Sequence, residues 1–160
     1  MAVVISLLSI AGLTAADQII KFFAEKGLAN SAEIVVIDKF LSWDYVQNTG
    51  AAFGSFSQST TLLSIITGII ILAGIAAIIT KKIKGGFLLT ISVMIIAGGL
   101  GNLIDRLLKG YVVDFIKVLF IDFPVFNFAD ILVTCGAFML LGYLIWDTYR
   151  DYKKKKDGEH

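Results

Sequence analysis

The residues best suited to chemistry are three aspartates in the second half of the chain, Asp105, Asp114 and Asp130. Each lies at or beside a long apolar segment. Because a charged side chain is costly to place in a membrane, an ionisable residue there is a candidate functional residue. Asp114 is the hardest to explain as a surface residue, since Val112, Val113, Phe115 and Ile116 surround it.

Two carboxyl groups in a water-poor pocket indicate aspartic-protease chemistry. Like charges a few ångströms apart cannot both ionise, so such a pair holds one proton between its two members. The ionised member takes a proton from water, and the protonated member donates to a peptide carbonyl oxygen. Spacing leaves open which two of the three aspartates form the pair, although Asp105 is disfavoured because it adjoins the cationic Arg106.

The composition argues against several other classes of site. The single cysteine, Cys135, rules out an internal disulfide, and the only histidine is the last residue, His160. A Ser-His or Cys-His nucleophile pair therefore has no plausible base, and a zinc site would lack its usual ligands. The net charge of +1 argues against a polyanionic partner such as nucleic acid. We therefore expect no metal and no nucleic-acid partner.

Hydropathy predicts the elements that must position these residues. Of the 160 residues, 57% are hydrophobic, and the mean hydropathy of +0.83 is typical of a polytopic membrane protein. Four apolar segments are long enough to span a bilayer as helices. They are predicted at about 3–24, 60–80, 85–105 and 128–147. The first could instead be a cleaved signal peptide ending at Ala15-Ala16, but it lacks a basic leader and three more spans follow.

The segments between the helices differ in character. Residues 25–59 contain β-formers, and Leu41, Trp43 and Tyr45 alternate with polar residues, which predicts one or two short strands. Residues 107–126 are predicted to be a connector with an apolar face, and residues 148–160 a basic tail. The expected fold is a single mainly α membrane domain with a small β-rich segment on its outer face.

Positive charge predicts how the chain crosses the membrane. Eight of the 14 basic residues lie in the turn at 81–84 and in the C-terminal tail, and such residues mark the cytoplasmic side. Both termini are then cytoplasmic. The unusual polar residues consequently meet at the outer face, where they predict a shared pocket: Asp17, Asn48, Asn102, Asp105, Arg106, Asp114, Asn127 and Asp130.

Purely structural roles would also explain several of these residues. Asp17 and Lys21, spaced i,i+4, could form an interfacial ion pair worth a few tenths of a kcal/mol. Arg106 could neutralise Asp105. Asn127 and Asp130 have the spacing of a capping pair at a helix start.

Two further features have simple structural explanations. The glycines Gly98, Gly99 and Gly101 would allow another helix to approach closely. The lysines at 153–156 are most simply a topology signal that contacts lipid headgroups.

Five short motifs give the chain a resemblance to a known family. They are Asp17-Gln18-x-x-Lys21, Asn48-x-Gly50-Ala51-Ala52-Phe53-Gly54, Gly101-Asn102-x-x-Asp105-Arg106, Val112-Val113-Asp114-Phe115 and Phe126-Asn127-x-Ala129-Asp130. Each motif is modest alone, but their order among four spans is specific. Over nearly its whole length the chain resembles the bacterial lipoprotein signal peptidases, also called signal peptidase II.

The resemblance implies an intramembrane aspartyl endopeptidase without a metal or organic cofactor. Its substrate would be a diacylglyceryl-modified prolipoprotein, cleaved just before the lipidated cysteine. Asp114 and Asp130 would be the catalytic pair. The supporting and substrate-positioning residues would be Asp17, Lys21, Asn48, Gly54, Asn102, Asp105, Arg106 and Asn127.

The resemblance also implies a setting for this activity. The protein would be a monomer in the bacterial cytoplasmic membrane, in contact with membrane lipids, with its active site toward the outer face. Residues 25–59 would form a β-rich cradle on the membrane surface, and the connector before Pro124 a lid. One position departs from the family pattern, because Ile131 follows the last aspartate where many members have serine. That departure puts a supporting contact in doubt rather than the catalytic pair.

Three other functions are compatible with carboxylates in a membrane. A small transporter would also use them, but helices 1–2 and 3–4 show no internal similarity of the kind that many transporters have. A non-enzymatic lipid-binding scaffold would tolerate amide substitution of its aspartates. A serine–lysine peptidase is a weaker alternative, since no serine is clearly paired with Lys21.

Overall fold

A computed structural model describes residues 1–50 and 60–158 of the chain. The four helices are α1 (Ala2–Leu28), α2 (Thr60–Ile79), α3 (Gly86–Lys109) and α4 (Phe128–Gly158). The three strands are β1 (Ile34–Ile37), β2 (Leu41–Asn48) and β3 (Val112–Val118). All four helices are long and apolar enough to cross a membrane. The predicted fold class, a mainly α membrane protein with a small β-rich part, is confirmed.

Three helices extend beyond their predicted ends. The prediction placed the ends of α1, α3 and α4 near residues 24, 105 and 147, whereas the helices reach Leu28, Lys109 and Gly158. All three extensions carry charged residues, so hydropathy did not include them. Lysine and glutamate nevertheless favour the helical backbone about as well as leucine does, and the helices continue through them.

Helix α3 is the centre of the bundle, because it packs against α1, α2 and α4. The buried core between these helices consists of Ile10, Ile71, Ile78, Val93, Ile96, Ala97 and Leu132. A Cβ atom on Gly98 would overlap the Ala129 carbonyl oxygen, and one on Gly101 would overlap the Asp17 carboxylate. These two glycines therefore permit the close helix approach that the sequence predicted.

The strands form one antiparallel sheet in the order β1-β2-β3. Asp114 on β3 lies opposite Val46 on β2, and Val112 lies opposite Asn48. The chain enters β3 directly from α3 through Gly110, whose φ of 82° closes the helix in the left-handed conformation. This short turn holds the third strand beside the helices.

The third strand was not predicted, since residues 107–126 were interpreted as a connector. The four residues from Val112 to Phe115 are all buried. A strand buried on both faces has no alternation of polar and apolar residues, which is the pattern that identifies strands in a sequence. β3 therefore looked like an apolar loop with one aspartate in it.

Candidate active site

Asp114 is held by side-chain amides from two directions. It lies on β3 and is only 1% exposed. The Asn48 side chain on β2 donates to its Oδ2 at 2.8 Å, and the Asn127 side chain donates to its Oδ1 at 2.6 Å. Each carboxyl oxygen thus has a neutral donor.

Asp130 lies in the first turn of α4 and is part of the helix cap. The Asn127 side chain accepts a hydrogen bond from the Asp130 amide at 2.9 Å, and Asp130 Oδ2 accepts one from the Asn127 amide at 3.0 Å. This is the reciprocal pattern of a capping box, so the capping interpretation of the two residues is confirmed. The Asn102 side chain donates to the other oxygen, Oδ1, at 2.8 Å.

Asn127 joins the two aspartates, because it caps α4 with Asp130 while its amide nitrogen binds Asp114. Among the residues that the structure describes, no lysine or arginine forms an ion pair with either carboxyl group. Burial, together with the negative charge of Asp130, raises the pKa of Asp114 from 3.8 to about 7. The Asp114 carboxyl group can therefore hold a proton near neutral pH.

Both aspartates line one cavity of about 630 Å³. Its polar wall includes Asn48, Gly50, Asn102, Arg106 and Thr134, and its apolar wall includes Val46, Phe126 and Ile131. A peptide segment fits a cavity of this size.

Arg106 lies at this cavity rather than beside Asp105. Its Nη2 donates to the Gly50 carbonyl oxygen at 3.2 Å, and its buried Nε has no hydrogen-bond partner within 1–50 and 60–158. Within these residues Arg106 forms no ion pair with Asp105, and the charges of Asp130 and Asp114 act on it more strongly than that of Asp105, so neutralising Asp105 is not its main interaction. Their adjacency in the sequence was misleading because neighbouring residues on a helix point about 100° apart.

A narrower groove of about 250 Å³ runs from the same site between α2, α3 and α4. Asn102, Arg106, Asp130 and Thr134 line both the cavity and the groove. The rest of the groove is mainly isoleucine and valine: Ile70, Ile71, Ile95, Ile96 and Val133, with Thr67 and Gly99. It offers an apolar path along the helices up to Asp130.

The other two buried aspartates belong to a different assembly, the Lys21 cluster, which consists of Asp17, Lys21, Asn102 and Asp105. The Lys21 ammonium is 2.9 Å from Asp17 Oδ2, 3.2 Å from Asp105 Oδ2 and 2.8 Å from Asn102 Oδ1. Lys21 is 1% exposed. The pair of Asp17 and Lys21 is therefore buried, and its interpretation as an interfacial ion pair is wrong.

The Lys21 cluster also contacts the backbone on both sides of the site. Asp17 Oδ1 accepts a hydrogen bond from the Ala129 amide at 2.9 Å, next to Asp130. Asp105 Oδ2 accepts one from the Val113 amide at 3.1 Å, next to Asp114. The Lys21 cluster thus binds the main chain next to Asp130 and next to Asp114.

The structure brings nearly all of the predicted site residues together. Those found in the cavity, in the Lys21 cluster or bonded to Asp114 are Asp17, Lys21, Asn48, Asn102, Asp105, Arg106, Asp114, Asn127 and Asp130. Gly54 lies outside the described residues. The sequence interpretation missed Thr134, which lies one helical turn after Asp130, a spacing that could have identified it. Ile131, where the resemblance expects serine, is 38% exposed and lines the cavity.

Comparisons with known proteins agree with this architecture. A family model described as signal peptidase (SPase) II matches residues 9–146. A lipoprotein signal peptidase of Clostridium novyi is 40% identical over 132 residues, 81% of this chain and 89% of that protein. A lipoprotein signal peptidase of Streptococcus thermophilus is 32% identical over 159 residues, 99% of this chain and 97% of that protein.

Solved structures show the same fold. Two structures titled as bacterial membrane enzymes determined by the in meso method are each 35% identical to this chain. One covers 89% of this chain and 88% of its own, with a TM-score of 0.82. The other covers 87% and 91%, with a TM-score of 0.77.

Proposed function

Because this chain belongs to the signal peptidase II family, a family of multi-pass bacterial membrane proteases, we propose that it is an intramembrane aspartyl endopeptidase. Its substrate is a diacylglyceryl-modified prolipoprotein, and cleavage occurs just before the lipidated cysteine. Asp114 and Asp130 are the catalytic pair. The relatives named above are lipoprotein signal peptidases, which supports this class of substrate.

One observation carries the assignment of the catalytic pair. Of the four aspartates at the site, Asp17 and Asp105 are bound to the Lys21 ammonium, whereas the donors to Asp114 and Asp130 within the described residues are all neutral. A bound cation favours the ionised form of a carboxyl group, which makes that group a poorer proton donor. A pair with no cation bound directly to it is better able to keep the shared proton that aspartyl hydrolysis requires.

Hydrolysis then follows from one water molecule and one shared proton. The ionised carboxylate removes a proton from water as the water oxygen bonds to the scissile carbonyl carbon, while the other carboxyl group donates its proton to the carbonyl oxygen. The resulting gem-diol collapses as the C–N bond breaks. The leaving nitrogen takes the proton that came from water, and one gem-diol hydroxyl returns a proton to the second carboxylate, which restores the starting state.

The surrounding residues orient this reaction. Asn48 and Asn102 hold the two carboxyl groups by one hydrogen bond each, at 2.8 Å. Arg106 lines the cavity with a free Nε among the described residues, so it can donate to a substrate carbonyl. Gly54 is proposed as part of the same substrate-positioning set. Fixing the peptide against the carboxyl groups lowers the entropic part of the barrier.

The location of the site suits a lipid-modified substrate. The groove between α2, α3 and α4 ends at Asp130, so apolar substrate chains that lie in it would extend toward the catalytic pair. Lysines cluster in the α2–α3 turn and at the end of α4, which supports cytoplasmic termini and an active site toward the outer face. The protein is proposed to act as a monomer among membrane lipids.

A gel-shift assay tests this proposal. Purified protein is incubated with a diacylglyceryl-modified prolipoprotein, and the wild type is compared with Asp114→Asn and with Asp122→Asn, a control at an exposed aspartate. Cleavage by the wild type and the control, but not by Asp114→Asn, supports the proposal. Cleavage by all three would remove Asp114 from the mechanism. Absence of cleavage by folded wild-type protein would favour the transporter or scaffold.

A further inference from the structure

A third polar cluster lies beyond the active site, centred on Glu25. Asp17, Lys21 and Glu25 follow one another at four-residue spacing and share one face of α1. Glu25 Oε2 lies 2.7 Å from the Lys109 ammonium, and Glu25 Oε1 accepts hydrogen bonds from the Tyr45 and Tyr111 hydroxyls, each at 3.2 Å. We call these four residues, Glu25, Tyr45, Lys109 and Tyr111, the Glu25 cluster.

The Glu25 cluster connects the helices to the sheet. Glu25 belongs to α1, Lys109 is the last residue of α3, Tyr45 lies on β2, and Tyr111 immediately precedes β3. The side chains of Glu25 and Lys109 are 32% and 28% exposed. All four residues lie outside the cavity lining, so the catalytic chemistry does not account for them.

A chain of contacts leads from this cluster to Asp114. Lys109 Nζ is 3.7 Å from Asp105 Oδ1, a buried oxygen without a hydrogen-bond partner in the described part of the chain. The other oxygen of Asp105 binds the Val113 amide, one residue before Asp114. The Lys109 ammonium therefore links Glu25 to Asp105, the carboxylate that binds the main chain of this strand.

The two members of the catalytic pair are carried by different parts of the fold. Asp114 belongs to the sheet and Asp130 to helix α4, so their separation changes whenever the sheet moves relative to the helices. Building on the function proposed above, we propose that the Glu25 cluster is a positioning device, which fixes the sheet against the helices and thereby sets the separation of Asp114 and Asp130.

The double variant Tyr45→Phe/Tyr111→Phe tests this proposal without changing any charge. It removes two hydroxyl donors and keeps both rings. We expect kcat to fall about tenfold, because small misplacements of reacting groups are costly, while KM for the lipid-modified substrate changes less than about twofold. Glu25→Ala should act in the same direction and more strongly.

The pH profile provides a readout that a general loss of folded protein would not change. Asp114 faces Asp130 on α4, with the amides of Asn48 and Asn127 against it and the charges of Lys21 and Arg106 nearby. If the sheet moves away from α4, water reaches Asp114 and the repulsion by Asp130 weakens. Its pKa then falls toward the ordinary value, and the alkaline limb of the cleavage profile moves to lower pH.

A matched control lies on the same sheet. Lys117 on β3 binds Glu33 at 3.0 Å and Asp44 at 3.1 Å, so its ion pairs join strands to one another rather than the sheet to the helices. Lys117→Gln should keep the wild-type kcat and pH profile. Amide hydrogen exchange over residues 111–118 measures docking of the strand independently of activity, and it should accelerate in the Glu25 cluster variants.

The possible results separate this inference from the proposed function. Wild-type kcat and pH profile in both the double tyrosine variant and Glu25→Ala would overturn the inference, even if hydrogen exchange accelerated, since the cluster would then be structural only. A uniform loss of activity without a shift of the alkaline limb would overturn it too. Loss of wild-type cleavage, or cleavage by Asp114→Asn, would instead overturn the proposed function on which it rests.

Discussion

The Lys21 cluster and the proposed catalytic pair, Asp114 and Asp130, contain the same kind of side chain in opposite electrostatic settings. Asp17 and Asp105 are fully buried and share one ammonium group. Asp114 is buried to the same degree, but in the described part of the chain it and Asp130 are bound by amides alone. Burial therefore does not by itself create an acid catalyst. The absence of a paired cation leaves a carboxyl group free to hold a proton near neutral pH.

Asn102 lies between the Lys21 ammonium and the Asp130 carboxyl group and contacts both. Its Oδ1 accepts from Lys21 at 2.8 Å, and its Nδ2 donates to Asp130 at 2.8 Å. A lysine in direct contact with Asp130 would stabilise the ionised form and abolish the shared proton. Because the Asn102 amide between Lys21 and Asp130 is neutral, the two groups of aspartates lie side by side while the lysine neutralises only its own cluster.

Replacing aspartates by asparagine should give the largest difference between the two regions. Asp114→Asn and Asp130→Asn should each lower the cleavage rate by about 10⁴-fold or more without lowering the unfolding temperature, because they remove like-charge repulsion. Asp17→Asn should lower the unfolding temperature and reduce cleavage less than about tenfold. The measurements are single-turnover cleavage and thermal unfolding in detergent. An equal loss of cleavage rate in all three variants would contradict the proposed difference between the Lys21 cluster and the catalytic pair.

Removing the cation should affect stability most. Lys21→Met leaves two buried carboxylates without a partner at Lys21, which should cost about 3–5 kcal/mol of unfolding free energy. The double variant Asp17→Asn/Lys21→Met should recover part of this loss. Lys26→Met on the exposed face of the same helix serves as the control. A Lys21→Met protein as stable as the control would show that the cluster contributes little.

Asn127 allows capping and catalysis to be separated. Asn127→Ser retains a cap acceptor but loses the amide donor to Asp114, so kcat should fall by about 10–100-fold while stability stays within about 1 kcal/mol of wild type. Asn127→Ala loses both the cap acceptor and the donor to Asp114. In addition to the fall in kcat, it should lose about 1 kcal/mol of unfolding free energy. Chemical denaturation and initial-rate measurements distinguish them. A fully active serine variant would confine Asn127 to the helix cap.

The pH dependence should show the smallest but most specific effect. The pKa of Asp114 is raised to about 7, so the cleavage rate should fall about tenfold per pH unit above that value as the shared proton is lost. The same shift makes the folded state bind a proton that the unfolded state releases near pH 4. Stability should therefore decline from about pH 4 to pH 7, and Asp114→Asn should flatten that decline. An unchanged slope in this variant would assign the raised pKa elsewhere.

The sequence predicted the helices, the two-stranded part of the sheet and the clustering of polar residues because hydropathy and alternation are local signals. It did not predict β3, since a strand buried on both faces lacks alternation. It also paired Arg106 with Asp105, whereas Lys21 and Lys109 are the cations near that carboxylate. Adjacency in sequence says little about which charges meet across a helix bundle.

The sequence by itself determined that the chain spans a membrane, and that a few ionisable residues would have to share a site, because charge in an apolar environment must be partnered or functional. Its motifs further indicated the family. Only the tertiary structure decided which carboxyl groups are bound to a cation. Which carboxyl groups have a bound cation depends on where the Lys21 ammonium lies. Lys21 and its partner Asn102 are more than 80 positions apart in the sequence, and helix packing brings them into contact.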